Sequence, residues 1–358
     1  MLGGRPKRVI VERGGAPSRR WARNADTEGR PVHVVEVIRE TADAVTLVIE
    51  AVDGKPLPFR AGQYLTHCFV AGGAPLKRAY SLSAREGGQL ACTVKLIAGG
   101  GASEYVARVL QPGARYAVLG PTGDFTLDPA QRGALALLAA GSGITPVISL
   151  IETALAADPQ RAIRLVYASR NEPAIIFRKR LDALAAQHPG LRVTHVLSQP
   201  DATWAGERGR LDGARAARLL GTDPSAHYYL CGPEALMSGA TEGLIAAGIP
   251  ATQIRRERFL ASARATQERP HTAQQIFFKR SGVTAEQRIG ESILEAGLRQ
   301  GVSLSFSCTV GGCASCKVKV EQGDVALGEP NCLTAEERAQ GYTLACSAFA
   351  LNPVVIDA

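Results

Sequence analysis

Short runs rich in β-branched residues fill positions 31–120: VHVVEVI, AVTLVIEAV, QYLTHCFV, AYSLSA and QLACTVKLI. The segments DGKPLP, AGGAPLK and REGG separate them. Apolar runs bounded by Gly and Pro predict strands. About six at this spacing predict a small antiparallel β-barrel. One helix is predicted at Ser103–Leu110, stopped by QPG. The pattern changes near residue 130. ALALLAA is continuously apolar, as in a strand buried on both faces. The helical stretch PVISLIETALAA follows, then strand AIRLVYASR and helix FRKRLDALAAQH. RVTHVLSQ, AHYYLCG and ALMSGATEGLIAAG continue the alternation, which predicts a parallel α/β sheet.

These shifts divide the chain into a tail (1–28), a barrel (29–128), an α/β domain (129–262), a polar linker (263–274) and a third unit (275–358). In the third unit QQIFFKRSG reads as a strand and GESILEAGLRQ as an amphipathic helix. KVKVEQGDV reads as a strand entering a hairpin, and NPVVIDA as a closing strand. Thr334 and Glu337 have the spacing of a capping box.

Apolar residues make up 46% of the chain, enough for ordinary cores, and no run is long enough to span a bilayer. The first residues lack the apolar stretch of a secretory signal, so the expected location is cytoplasmic. The net charge of +8 is uneven. Residues 1–25 hold seven Lys and Arg against one Glu, whereas residues 275–358 hold seven against nine Asp and Glu. The basic excess is therefore mainly a solvated tail rather than a folded patch, and no nucleic-acid partner is expected.

Cysteine use changes the picture more. Cys308, Cys313, Cys316 and Cys346 stand as C-x4-C-x2-C-x29-C. That order is the spacing of plant-type [2Fe–2S] ligands. Gly311 and Gly312 let the backbone approach such a cluster and turn N–H groups to its sulfurs. Structural zinc is the competing reading, but it usually uses paired C-x2-C knuckles or interspersed histidines. Here there is one such pair, and His271 is the only histidine in the last 90 residues. Cys332 is off the pattern and reads as a bystander.

Four further motifs suit phosphates and planar rings. In KRAYSLSA, Arg78 offers a bidentate phosphate partner, Tyr80 an aromatic face and Ser81 a small donor. Alone this is equally an ordinary strand with a surface Arg. In IAGGGASEYVARVL, glycines open onto a predicted helix whose N-terminus suits an anion, with Ser103 able to cap it. In LLAAGSGITPVISL, Gly141 and Gly143 permit a tight turn and Thr145 adds a hydroxyl, although the third glycine of the dinucleotide fingerprint is missing. Cys231, Gly232 and Pro233 end a later strand, where a thiol can meet a planar ring. A buried structural Cys is the plainer reading of Cys231.

Taken in order, RAYS, GGGAS, GSGITP, CGP and RRERF resemble the ferredoxin–NADP reductase superfamily over residues 30–260. CTVGGCASCKVKVEQGDV and YTLACSA resemble plant-type ferredoxins, which have a β-grasp fold. The flavin–nicotinamide–ferredoxin order resembles reductase components of bacterial oxygenase systems, of the phenylacetyl-CoA epoxidase and ketosteroid 9α-hydroxylase type. The resemblance implies FAD rather than FMN, a [2Fe–2S] cluster, NADPH or NADH, and a terminal oxygenase, hydroxylase or other acceptor protein.

It also implies residue roles. Arg78 would neutralise the flavin pyrophosphate, Tyr80 pack on the flavin, and Ser81 lie near its N5. Gly100, Gly101, Ala102 and Ser103 would hold the pyrophosphate. Gly141, Gly143, Thr145, Cys231, Gly232 and Pro233 would bind the nicotinamide dinucleotide, with Ser169 and Arg170 near any 2′-phosphate. Ser81, Cys231 and Glu257 would be the catalytic set. Two other functions fit less of the pattern. A flavin reductase or oxidase would leave the four-cysteine spacing idle, and an iron–sulfur redox sensor would not need a nicotinamide site.

Overall fold

The structure is a computed structural model that describes residues 29–71, 74–97, 101–128, 130–259, 272–306, 308–328 and 331–358. The basic tail, Gly100 and most of the expected linker lie outside the described residues.

The first unit is a six-stranded antiparallel sheet. Its strands are β1 (Arg30–Thr41), β2 (Ala44–Ala51), β3 (Tyr64–Ala71), β4 (Ala74–Ser81), β5 (Leu90–Lys95) and β6 (Arg115–Thr122), in the order β4-β3-β6-β1-β2-β5. An isolated bridge between Leu82 and Cys92 joins the two edges, closing the sheet into the expected barrel. Val32, Leu47, Leu65, Phe69 and Val118 fill its interior. Helix α1 (Gly101–Arg108) starts two residues before the expected position, which puts Ser103 inside the helix rather than at its cap. The Ser103 hydroxyl instead accepts a 3.0 Å bond from the Ile97 amide, tying the helix to the chain leaving β5.

The second unit is a six-stranded parallel sheet in the order β10-β9-β8-β7-β11-β12. The strands are β7 (Leu135–Ala140), β8 (Ile163–Ser169), β9 (Leu191–Leu197), β10 (Glu207–Arg208), β11 (His227–Cys231) and β12 (Ile254–Glu257). ALALLAA is apolar throughout because both faces are covered: Leu135, Leu137 and Ala139 enter one core, Ala136 and Leu138 the other. Helices α2 (Ile144–Ala157) and α3 (Arg178–Gln187) contribute to the first, and α4 (Gly213–Leu220) and α5 (Glu234–Ala246) to the second. Strand order reverses between β7 and β11, which opens a crevice beyond their carboxyl ends.

The third unit is a mixed sheet, β14-β13-β19-β15-β17, with a separate β16-β18 pair. Its strands are β13 (Gln274–Phe278), β14 (Val283–Gln287), β15 (Lys317–Gln322), β16 (Val325–Leu327), β17 (Tyr342–Leu344), β18 (Ala348–Ala350) and β19 (Val354–Asp357). Helices α6 (Ile293–Arg299) and α7 (Ala335–Ala339) complete it, and both begin with capping boxes, Ser292 with Glu295 and Thr334 with Glu337. The hairpin expected in KVKVEQGDV does not form. Gly323 turns the chain at φ 83°. The Asp324 amide and carboxylate both bond Asn352, each at 2.8 Å. That draws β16 away from β15 to pair with β18.

Candidate active site

One cavity of about 560 Å³ is walled by all three units. The barrel contributes Tyr64, Arg78, Ser81 and the Gly123–Phe125 turn. The parallel sheet contributes Arg255 to Phe259, and the third unit contributes Cys308, Val310, Gly312, Cys313 and Ser315. Tyr64 pairs with Ser81 across β3 and β4, which sets both at the mouth of the barrel. Ser81 is 3% exposed. Arg78 donates to its neighbour's carbonyl, Lys77 O, at 2.7 Å. Tyr80 points to the face of β4 opposite Ser81, as strand alternation requires. There it packs with the barrel core, edge-on to His67 at 5.3 Å between ring centroids. Of the expected flavin residues, the cavity thus brings together Arg78, Ser81 and Glu257. Tyr80, Gly101, Ala102 and Ser103 stand outside its lining.

Glu257 ends β12 opposite Cys231 in β11. Its Oε2 is shut off from solvent and has no hydrogen-bond partner. Burial pushes the carboxyl up to about 8. Cys231 is fully buried. Burial, then the adjacent Glu257, pushes its thiol well above the usual range. Cys231 packs in the core of the parallel sheet and does not line this cavity.

The nicotinamide motif forms the turn after β7. Gly141 has φ 54°, a left-handed conformation that disfavours side chains. Tyr167 Oη donates to Gly141 O at 3.0 Å, and Thr145 Oγ1 to Ser142 O at 3.0 Å. A Cβ on Gly143 would lie 2.1 Å from Cys231 O, so this glycine lets the turn close against β11. Pro233 caps α5. Ser169 is buried at the end of β8, and the next residue, Arg170, is exposed.

The four pattern cysteines converge. Sulfur contacts link Cys313 to Cys308, Cys308 to Cys346, and Cys346 to Cys316. The amides of Val310 and Gly312 point to Cys308 Sγ at 3.4 and 3.2 Å, and that of Gly311 to Cys346 Sγ at 3.3 Å. Thr309 and Ala314 hold left-handed φ of 55° and 57°, strain of about 1–3 kcal/mol each that aims the loop inward. Clustered sulfurs ringed by N–H donors fit a [2Fe–2S] cluster, whose sulfides need those donors.

Tyr64, Asp124, Phe125, Arg256 and Phe259 also line the cavity and were not assigned from the motifs. Tyr64 carries no local signature; packing alone brings it there. The TGDF turn after β6 and the basic RRERF strand were the visible signals.

A barrel, a nucleotide-binding parallel sheet and a four-thiol loop around one cavity define an iron–sulfur flavoprotein oxidoreductase. Residues 31–127 match the oxidoreductase FAD-binding domain, 137–242 the oxidoreductase NAD-binding domain, and 276–351 the 2Fe-2S iron-sulfur cluster binding domain. The chain is 34% identical to one component of 1,2-phenylacetyl-CoA epoxidase from Escherichia coli, over 90% of this chain and 96% of that one. It is 32% identical to the ferredoxin reductase component of 3-ketosteroid-9-alpha-monooxygenase from Mycobacterium tuberculosis, over 88% of this chain and 91% of that one. Phthalate dioxygenase reductase, described as a modular structure for electron transfer from pyridine nucleotides to [2Fe–2S], superimposes with a TM-score of 0.68. It is 26% identical, and the match covers 92% of this chain and 97% of that chain. The chain belongs to this family of FAD-, NAD- and [2Fe–2S]-binding reductases.

Proposed function

We propose that this chain oxidises NAD(P)H and passes the electrons singly to a partner oxygenase or hydroxylase in the cytoplasm. One observation carries the reading: the cavity at the barrel motif is closed on a second side by the cluster loop and on a third by the end of the parallel sheet. A flavin bound there supplies the exchange between two-electron and one-electron chemistry. Arg78 would hold its phosphates, Ser81 would donate to the ring, and the amide-rich start of α1 would take the pyrophosphate. The turn at Gly141 and Gly143 would seat the dinucleotide in the crevice between β7 and β11. Cys308, Cys313, Cys316 and Cys346 would ligate the iron.

Glu257 would hold a proton beside the ring at neutral pH, since its carboxyl stays protonated to about 8. Burial of Ser81 would keep water from the reacting face. Neither Ser169 nor Arg170 is replaced by an acidic residue, which favours NADPH over NADH. Anaerobic titration of the purified protein with NADH and with NADPH tests the reading. Bleaching of both flavin and iron–sulfur absorbance is expected, at lower concentration with NADPH. Flavin bleaching with an iron–sulfur spectrum that never changes would refute the route.

A further inference from the structure

Thr66 makes a side-chain contact between the barrel and the third unit. It lies on β3 opposite Ala79 of β4, between the Tyr64–Ser81 pair and His67. Alternation along paired strands puts Tyr64, Thr66, Ala79 and Ser81 on one face. Three of these line the cavity. Thr66 is completely buried, and its Oγ1 donates a 3.0 Å hydrogen bond to the carbonyl of Cys308. Cys308 is the first cysteine of the cluster loop, 242 positions along the chain. This bond therefore ties the cluster loop to the flavin-facing strand pair.

A second contact joins the same units, Lys77 Nζ to Glu295 at 3.6 Å. Its side chains are 34% and 49% exposed, so water and salt screen it and it contributes little. The Thr66 bond has no such competition. Removing its donor leaves a dry carbonyl unsatisfied, which costs far more than losing an exposed ion pair.

We propose that Thr66 is a positioning residue for electron transfer from flavin to cluster, its hydroxyl setting the docked arrangement of the cluster loop. The proposal rests on the electron route given above. In this step one electron leaves the reduced flavin and one ferric iron becomes ferrous; no bond forms or breaks. NAD(P)H supplies the electron pair, and the acceptor protein removes each electron in turn. Electron transfer falls steeply with separation, so a loosened loop slows this step and spares the hydride step, which occurs on the nicotinamide side.

The test uses the full chain loaded with flavin and cluster. Thr66→Val replaces the hydroxyl with a methyl of similar size, Thr66→Ala removes both groups, and Thr66→Ser keeps the hydroxyl. Rapid anaerobic mixing with NADPH follows flavin and iron–sulfur absorbance separately, and hydrogen exchange follows the amides around Cys308. Flavin reduction should stay at the parent rate in all three. Cluster reduction should slow about tenfold in the Val and Ala variants, the docking shift expected for one buried hydrogen bond, and recover in the Ser variant. Amides around Cys308 should exchange faster wherever the hydroxyl is gone. Parent rates and parent exchange in the Val and Ala variants would overturn the proposal, as would equal slowing of both phases. If the unaltered chain reduces flavin but never its cluster, the route itself fails and the proposal falls with it.

Discussion

At Glu257 a carboxyl faces a cavity with one oxygen unpaired and shut off from solvent. Burial raises its titration from 4.5 to about 8. Between those values the folded chain keeps a proton that the unfolded chain has released, so stability falls as pH rises across that window. Glu257→Gln removes this slope. The variant's thermal midpoint should gain on the parent's as pH is raised from about 5 to about 8. Parallel midpoints over that range would show that Glu257 titrates normally. RRERF marked this residue in the sequence, whereas Thr66 was invisible. A threonine in QYLTHCFV is an ordinary strand residue until a loop more than 200 positions away meets it. Tyr80 shows the converse. Its motif suggested a flavin face, but it packs edge-on to His67, on the face of β4 opposite Ser81, and does not line the cavity.

Among the elements, the β7–α2 turn is tightly specified. Gly143 has φ −60°, which suits any residue, so conformation does not demand glycine there. Space does: a Cβ would lie 2.1 Å from a backbone oxygen of β11. Gly143→Ala should therefore destabilise the chain by about 1–3 kcal/mol, as overpacking of a close-packed interior does. It should also weaken nicotinamide binding, because relief of the clash shifts the turn from β11. Denaturant unfolding and nucleotide titration measure the two effects; an unchanged midpoint would mean the turn yields at no cost. Strands and helices with strong apolar periods were legible from the sequence, because their burial pattern is local. The two-stranded β16-β18 pair was not. It depends on side-chain bonds between Asp324 and Asn352, which no periodicity encodes.

Over the whole molecule, three units meet at one cavity, and each brings one part of an electron path. The parts separate experimentally. Cys313→Ser removes one ligand of the proposed cluster and touches neither the barrel motif nor the β7–α2 turn. The variant should lose iron–sulfur absorbance, retain flavin, and reduce an artificial two-electron dye with NAD(P)H at a rate within about twofold of the parent, since no hydride-transfer group is altered. Loss of dye reduction in a folded, flavin-replete variant would mean that the electrons reach the dye through the cluster. No helix among the described residues is long and apolar enough to cross a membrane.

Strand β19 lies between β13 and β15, paired to both, in the middle of the third sheet. Cys346 precedes it by only a few residues, although its three companions come 30 and more positions earlier. During synthesis the three-thiol loop therefore leaves the ribosome well before the strand that completes its sheet and the thiol that closes its cage. The barrel and parallel sheet can fold and take up their ligands while translation continues. Iron cannot be held by all four thiols until Cys346 and β19 have emerged, so metal loading would follow the synthesis of both. A product cut short before Cys346 would lack the fourth thiol, and is expected to take up flavin but no iron–sulfur cluster.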